Sequence, residues 1–196
     1  MDEIKSAAEI AMEKAERLGE ATAEERLGWK YVPEGRKLAA EYIKQGGNLV
    51  LELSKCEDGV KKYIMRGAAE VLIGNISLPD NDIARKNNKR VMDGLKVVKS
   101  DKAGVENVYS KIRRIFDHCV GEGEQQKRQA YQSLKADFEA KVRQALQQQF
   151  GSFMGTKMDV ERQPQFQEEW RKVQAQLDSQ YLALLGEYKQ ELSAIS

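Results

Sequence analysis

The chain is poor in the residues that interrupt helices or staple small folds, with three prolines and two cysteines among 196 residues. Few prolines leave long helices with few obligatory breaks. Cys56 and Cys119 do not make a disulfide framework, and a chain of this length buries a core without one. No apolar run approaches the ~20 residues that cross a bilayer. The first residues, Met1, Asp2, Glu3, Ile4 and Lys5, lack the basic start and apolar stretch of a secretory leader. A cytoplasmic protein without a membrane partner is expected.

Histidine is scarcer still. His118 is the single one, which excludes any site needing two histidines. Its neighbours Asp117 and Cys119 project about 100° apart on a helix, so the three do not converge on a metal by themselves. The paired Glu-x-x-His pattern of di-iron bundles and the Cys-x-x-Cys pair are both missing. So are the phosphate-cradling Gly-x-x-x-x-Gly-Lys-Ser/Thr loop and the Gly-x-Ser-x-Gly elbow. No metal and no cofactor is expected, and the sequence nominates neither a nucleophile nor a base.

What is abundant is helical. Charged residues make up 32% of the chain and hydrophobic ones 41%, with Ala, Glu, Lys, Gln and Leu prominent. The expected class is all-α, a multi-helix amino-terminal region followed by a long antiparallel carboxy-terminal hairpin. Ile4, Ala8, Ala11, Ala15 and Leu18 make one face of a first helix. Thr22 with Glu25 forms a capping-box pattern, with a short turn stopped at Gly28. Trp29 and Tyr31 then fall in a connection, and Pro33 opens the next helix, which exits at Gly46-Gly47. The run 49–53 suits a strand or a helix, and helix is favoured because no second strand is available to pair with it. Val60, Ile64, Ala68, Val71 and Leu72 mark a helix ending at Gly74-Asn75.

Asp80 or Asn81 caps a helix reaching Val98, and Ser100 caps the next. There Val105, Val108, Ile112, Ile115 and Cys119 recur at alternating steps of three and four. Gly121-Glu122-Gly123-Glu124 reads as the boundary between a compact region, 1–120, and the hairpin, 125–196. Composition changes beyond it, since fifteen of the sixteen glutamines follow. Helices are expected over about 125–150 and 163–195. The second carries Phe166, Trp170, Val173, Leu177, Tyr181, Leu184, Tyr188, Leu192 and Ile195. Their mean step is close to 3.6, which predicts a nearly straight helix instead of a supercoil.

Two surfaces are candidates for partners. The net charge of +1 conceals an acidic stretch, 1–25, and a basic one, 84–116. Arg85, Lys89, Lys96 and Lys99 share one arc of a helix and could contact nucleic acid phosphates. Glu9, Glu13, Glu16 and Glu20 on the first helix are the internal competitor, and the nucleic-acid reading is the less favoured one. The other surface comprises Phe153, Met154 and Met158 in the hairpin linker with Phe166, Trp170, Tyr181 and Tyr188, aromatic and adaptable side chains suited to an interface. The favoured expectation is a non-enzymatic structural or interaction protein that self-associates, or docks a protein partner, through the hairpin. A helical enzyme or ligand-binding protein with no visible motif is the remaining alternative.

Overall fold

The computed structural model describes residues 21–150 and 159–196, with the backbone alone for 149 and 150. The protein is all-α, and no strand occurs among the described residues. The helices are α1 (Ala23–Gln45), α2 (Leu49–Ser54), α3 (Asp58–Gly74), α4 (Asp82–Val98), α5 (Lys102–His118), α6 (Glu124–Phe150) and α7 (Pro164–Ala194). A π-helical segment, Cys119–Gly123, joins α5 to α6, and a 3-10 turn, Val160–Arg162, precedes α7. The first expected helix and the residues Phe153, Met154 and Met158 lie outside the described residues.

Two compact units divide the chain, Met1–Ile76 with Lys86–Val105 and Leu192–Ser196, and Ser77–Arg85 with Glu106–Glu191. Some helices contribute residues to both. Among the described residues no helix is long and apolar enough to cross a membrane.

In the first unit α1 starts where the capping box places it. The Glu25 amide donates to Thr22 Oγ1 and the Thr22 amide to the Glu25 carboxylate. The helix then runs through both Gly28 and Pro33, correcting the expected break between them. Proline leaves the carbonyl of Trp29, four residues earlier, without its helical donor. Both residues lie on the exposed side, where solvent can satisfy that carbonyl, so one lost bond does not end the helix. Gly46, at φ 76°, closes it in the left-handed conformation that glycine adopts without strain. Asn48 caps α2, so the ambiguous run at 49 is helical.

Glycine also sets the closest packing in this unit. A Cβ on Gly35 would lie 2.0 Å from the Ile64 carbonyl oxygen, and one on Gly67 2.0 Å from that of Val32. The two glycines therefore let α1 and α3 touch backbone to backbone. Around that contact lie Val32, Ala39, Ile64, Ala68 and Leu72, all buried. On α4, Arg90 donates to the Ile43 carbonyl near the end of α1, where a cation complements the helix dipole. The Tyr42 hydroxyl returns a bond of 3.0 Å to the Arg90 carbonyl.

Asn81 caps α4 through the Ala84 amide at 2.8 Å. Asp101, instead of Ser100, caps α5 by accepting from the Gly104 amide at 2.8 Å. A carboxylate there also meets the positive end of the helix, which a hydroxyl does not.

In the second unit Val108, Ile112, Ile115 and Cys119 are buried, and the seam continues through Gly123, Lys127 and half-buried Tyr131. From Ile115 onward the steps are all four residues. Four such steps in an α-helix drift by about 160°, enough to turn the seam away from its partner. The π segment takes up one extra residue, about 100° of that drift. Its signature is the Glu124 amide bonded to the Cys119 carbonyl, five residues back. Gly121 and Gly123, expected to break the chain, lie inside this helical backbone.

Helix α7 runs antiparallel to this rod, as the partners show: Lys111 with Glu191, His118 with Tyr181, Lys127 with Asp178 and Tyr131 with Trp170. Phe166 is buried, with the rings of Tyr131 and Phe138 edge-on at 5.5 and 5.4 Å. The aromatic stripe is thus covered in part by α5 and α6 of the same chain. One position differs from the expectation: Leu185 is buried, while Leu184 is 41% exposed.

Candidate functional site

Steps of three and four put Lys111, Arg114 and His118 on one face of α5, and Leu177, Tyr181, Leu184 and Tyr188 on one face of α7. Between these rows is a cleft of about 690 Å³, within the range of small-molecule pockets. It opens beside the π segment. Ile115, Leu177 and Leu184 give it an apolar floor, and the amides of Gln126, Gln176 and Gln180 give it a polar rim.

At one end of the cleft His118 is held from both sides. Its Nε2 lies 2.9 Å from the Glu122 carboxylate, and its Nδ1 lies 2.7 Å from the Tyr181 hydroxyl. The carboxylate can only accept, so Nε2 donates to it and Nδ1 is left to the Tyr181 hydroxyl. Burial, with Cys119, Glu122 and Asp178 nearby, raises the Tyr181 pKa above its ordinary 10.0, against the opposing pull of Lys127. The phenol stays a donor. A Cβ on Gly123 would approach Tyr181 Oη to 3.2 Å, so the bare glycine of the π segment is what lets the ring sit beside His118.

The charges around the cleft are unequally matched. Lys111 is committed to Glu191 at 2.7 Å, a hydrogen bond that raises its pKa, and its ammonium lies 5.4 Å from the Tyr188 ring. His118 faces Glu122. Arg114 has no ion pair among the described residues.

A second cleft of about 560 Å³ surrounds Lys127, walled by Tyr131 and Trp170. Lys127 is only 9% exposed and sits among Asp178 at 2.9 Å, Glu124 at 3.7 Å and Asp80 at 3.8 Å. Burial alone would lower its pKa, but Asp178, Asp80 and Glu124 outweigh it and the net shift is upward. This lysine is a fixed cation, not a base. No group of residues that could hold a metal ion occurs among the described residues.

The four basic candidates do not share one exposure. Arg85 and Lys89 are exposed, and Arg85 pairs with Asp82 at 3.0 Å. Lys96 is half-buried. Lys99 is buried, donates to the Ile195 carbonyl, and has its pKa lowered by that burial. Their proposed competitor, the acidic first helix, lies outside the described residues. Of the aromatic candidates, Phe166 is buried, while Trp170, Tyr181 and Tyr188 are half-buried. Sequence reasoning placed Tyr181 and His118 separately and missed their meeting. The available signal was the order of apolar positions on the two long helices, which sets the antiparallel register but not which polar pairs face each other.

A family profile described as a family of unknown function (DUF6657) matches residues 51–194. No curated protein and no solved structure matches the chain. The chain belongs to DUF6657.

Proposed function

We propose that this member of DUF6657 is a non-enzymatic, structural interaction protein that assembles with a second copy of itself through the distal half of α6. The observation that carries this reading is the stripe Leu134, Phe138, Val142 and Leu146. Each is half-buried, while the residues between Val142 and its stripe neighbours on either side are all exposed. Apolar side chains at helical spacing and incompletely covered gain from a second apolar surface at roughly 25 cal/mol per Å² removed from water.

The flanking charges select the occupant. Asp137 and Lys141 lie along one edge of the stripe, Glu139 and Arg143 along the other. In each row an acid precedes a base by four residues. An antiparallel copy sets acid opposite base on both edges and places Leu134 against Leu146 of the other copy, a closed two-fold pairing. A parallel copy would set like charges together.

Sedimentation equilibrium over a concentration series tests the reading. The expected mass rises above the 22.2 kDa of one chain, and V142E with L146E holds it there. A charge-swap pair tests whether these edges meet in the assembly. D137K/E139R and K141E/R143E should each stay monomeric, and mixing them should restore association. A wild-type mass of 22.2 kDa into the hundred-micromolar range removes the proposal.

A further inference from the structure

Of the clefts among the described residues, the one beside the π segment has a cation left over and no carboxylate in its lining to oppose an anion. In the groove of the first unit Lys62 is paired with Glu24, while Arg36 and Arg66 both reach Glu70. The Lys127 cleft also has an arginine without an ion pair among the described residues, Arg128, but its lining carries Asp80, Glu124 and Asp178, three carboxylates that would repel an anion. In the π-segment cleft Lys111 and His118 have carboxylate partners and Arg114 has none among the described residues.

That arginine lines the same cleft as apolar surface. Leu184 is 41% exposed, with Ile115 and Leu177 beside it and the rings of Tyr181 and Tyr188 on the same helix face. A simple inorganic anion would use the arginine and waste the floor, and a neutral apolar molecule would do the reverse. We propose that this cleft binds a small aromatic carboxylate, its carboxylate taken by Arg114 and its ring laid on Ile115, Leu177 and Leu184 between the two tyrosines. A guanidinium presents two parallel N–H donors that match the two oxygens of a carboxylate. The glutamine amides at the rim add neutral donors without adding competing charge. His118, locked between Glu122 and Tyr181, closes the polar end and fixes where the ring stops.

The single histidine makes the test direct, because its imidazole Cε1 proton gives one resolved line in the NMR spectrum of the full chain. With 1-naphthoate as the probe, that line is expected to shift and saturate. Naphthalene-1-methanol, which has the ring without the charge, and inorganic phosphate, which has charge without the ring, should leave it in place at the same concentrations. R114Q should weaken naphthoate at least tenfold with the free His118 line unmoved, and L184Q should weaken it with Arg114 intact. An unmoved line with naphthoate overturns the proposal. So does equal binding by R114Q, which marks nonspecific adhesion. An equal response to phosphate marks an anion site of a different class and also overturns it.

Discussion

Adding one methyl group at Gly67 tests the packing logic most sharply. Its Cβ would begin 2.0 Å from the Val32 carbonyl oxygen and 3.1 Å from the Arg36 amide nitrogen, both backbone atoms that no rotamer change can move. Ordinary contact begins beyond 3 Å, so α1 and α3 must part by about 1 Å at the crossing. A gap of that size forfeits roughly a quarter to a half of the dispersion energy of the atoms facing it. Those atoms belong to Val32, Ile64, Ala68 and Leu72, at 8, 5, 0 and 0% exposure. Overpacking of this kind costs about 1–3 kcal/mol, and more where backbone must yield. Alanine returns up to about 1 kcal/mol through its better helix propensity. We expect G67A to lose about 2–4 kcal/mol, seen as a fall in melting temperature of roughly 5–15 °C. Urea titrations followed by far-UV circular dichroism, and by Trp29 fluorescence in a W170F background, would measure it. G35A should behave alike. Because one separation relieves both clashes, the double variant should lose less than the sum of the singles. The control is G186A, where nothing lies within 4 Å of the new methyl, and which should gain about 0.5–1 kcal/mol. A G67A protein within about 0.5 kcal/mol of wild type, or strict additivity with G35A, would refute the backbone contact.

K127A should destabilise by about 1–3 kcal/mol, less than the 3–5 of a fully buried broken pair because Asp80 and Glu124 are partly open to solvent. The loss should shrink in D178N, read as coupling in a double-mutant cycle by urea denaturation. Y181F should cost about 0.5–1.5 kcal/mol and shift the His118 line, since the imidazole loses its donor. Glu24 and Glu25 both titrate below the ordinary 4.5, Glu24 through the hydrogen bond from Lys62 and Glu25 through the Thr22 amide. A depressed pKa in the folded state contributes stability above the unfolded value and loses it as pH falls through the folded one. E24Q with E25Q should therefore flatten the acid side of the stability curve below pH 4.5, and an unchanged acid limb would contradict both bonds.

The legible parts of the fold were those written in local periodicity and capping. The seam through Ile112 and Cys119, the Thr22–Glu25 box and the Asn81 cap all follow from residues within one or two turns of each other. Glycine was the ambiguous letter. At Gly46 it ends a helix in the left-handed region, but at Gly67 it admits a neighbouring backbone, and at Gly123 it admits a tyrosine ring. Local sequence does not separate these uses, which is why Gly28 and Gly121 read as breaks. The His118–Tyr181 bond spans 63 positions and depends on a register that the inserted residue itself adjusts. The exchange of Leu184 for Leu185 has the same origin, since a small rotation of α7 decides which of two adjacent leucines faces inward.

The π segment also governs how this protein can change length. In most helices the loss of a single residue is a defect, because everything beyond it turns by about 100° and advances 1.5 Å. Here the extra residue is already the correction. Deleting Gly121 would heal the backbone into a regular α-helix and leave Lys127 and Tyr131 facing their partners, because the π segment already takes up that one residue. The segment from Cys119 to Gly123 is thus a place where one residue can be lost without turning the helix beyond it. Substitutions along the rod are judged one side chain at a time, but a single-residue deletion between the π segment and α6's partners is judged by all of α6 at once.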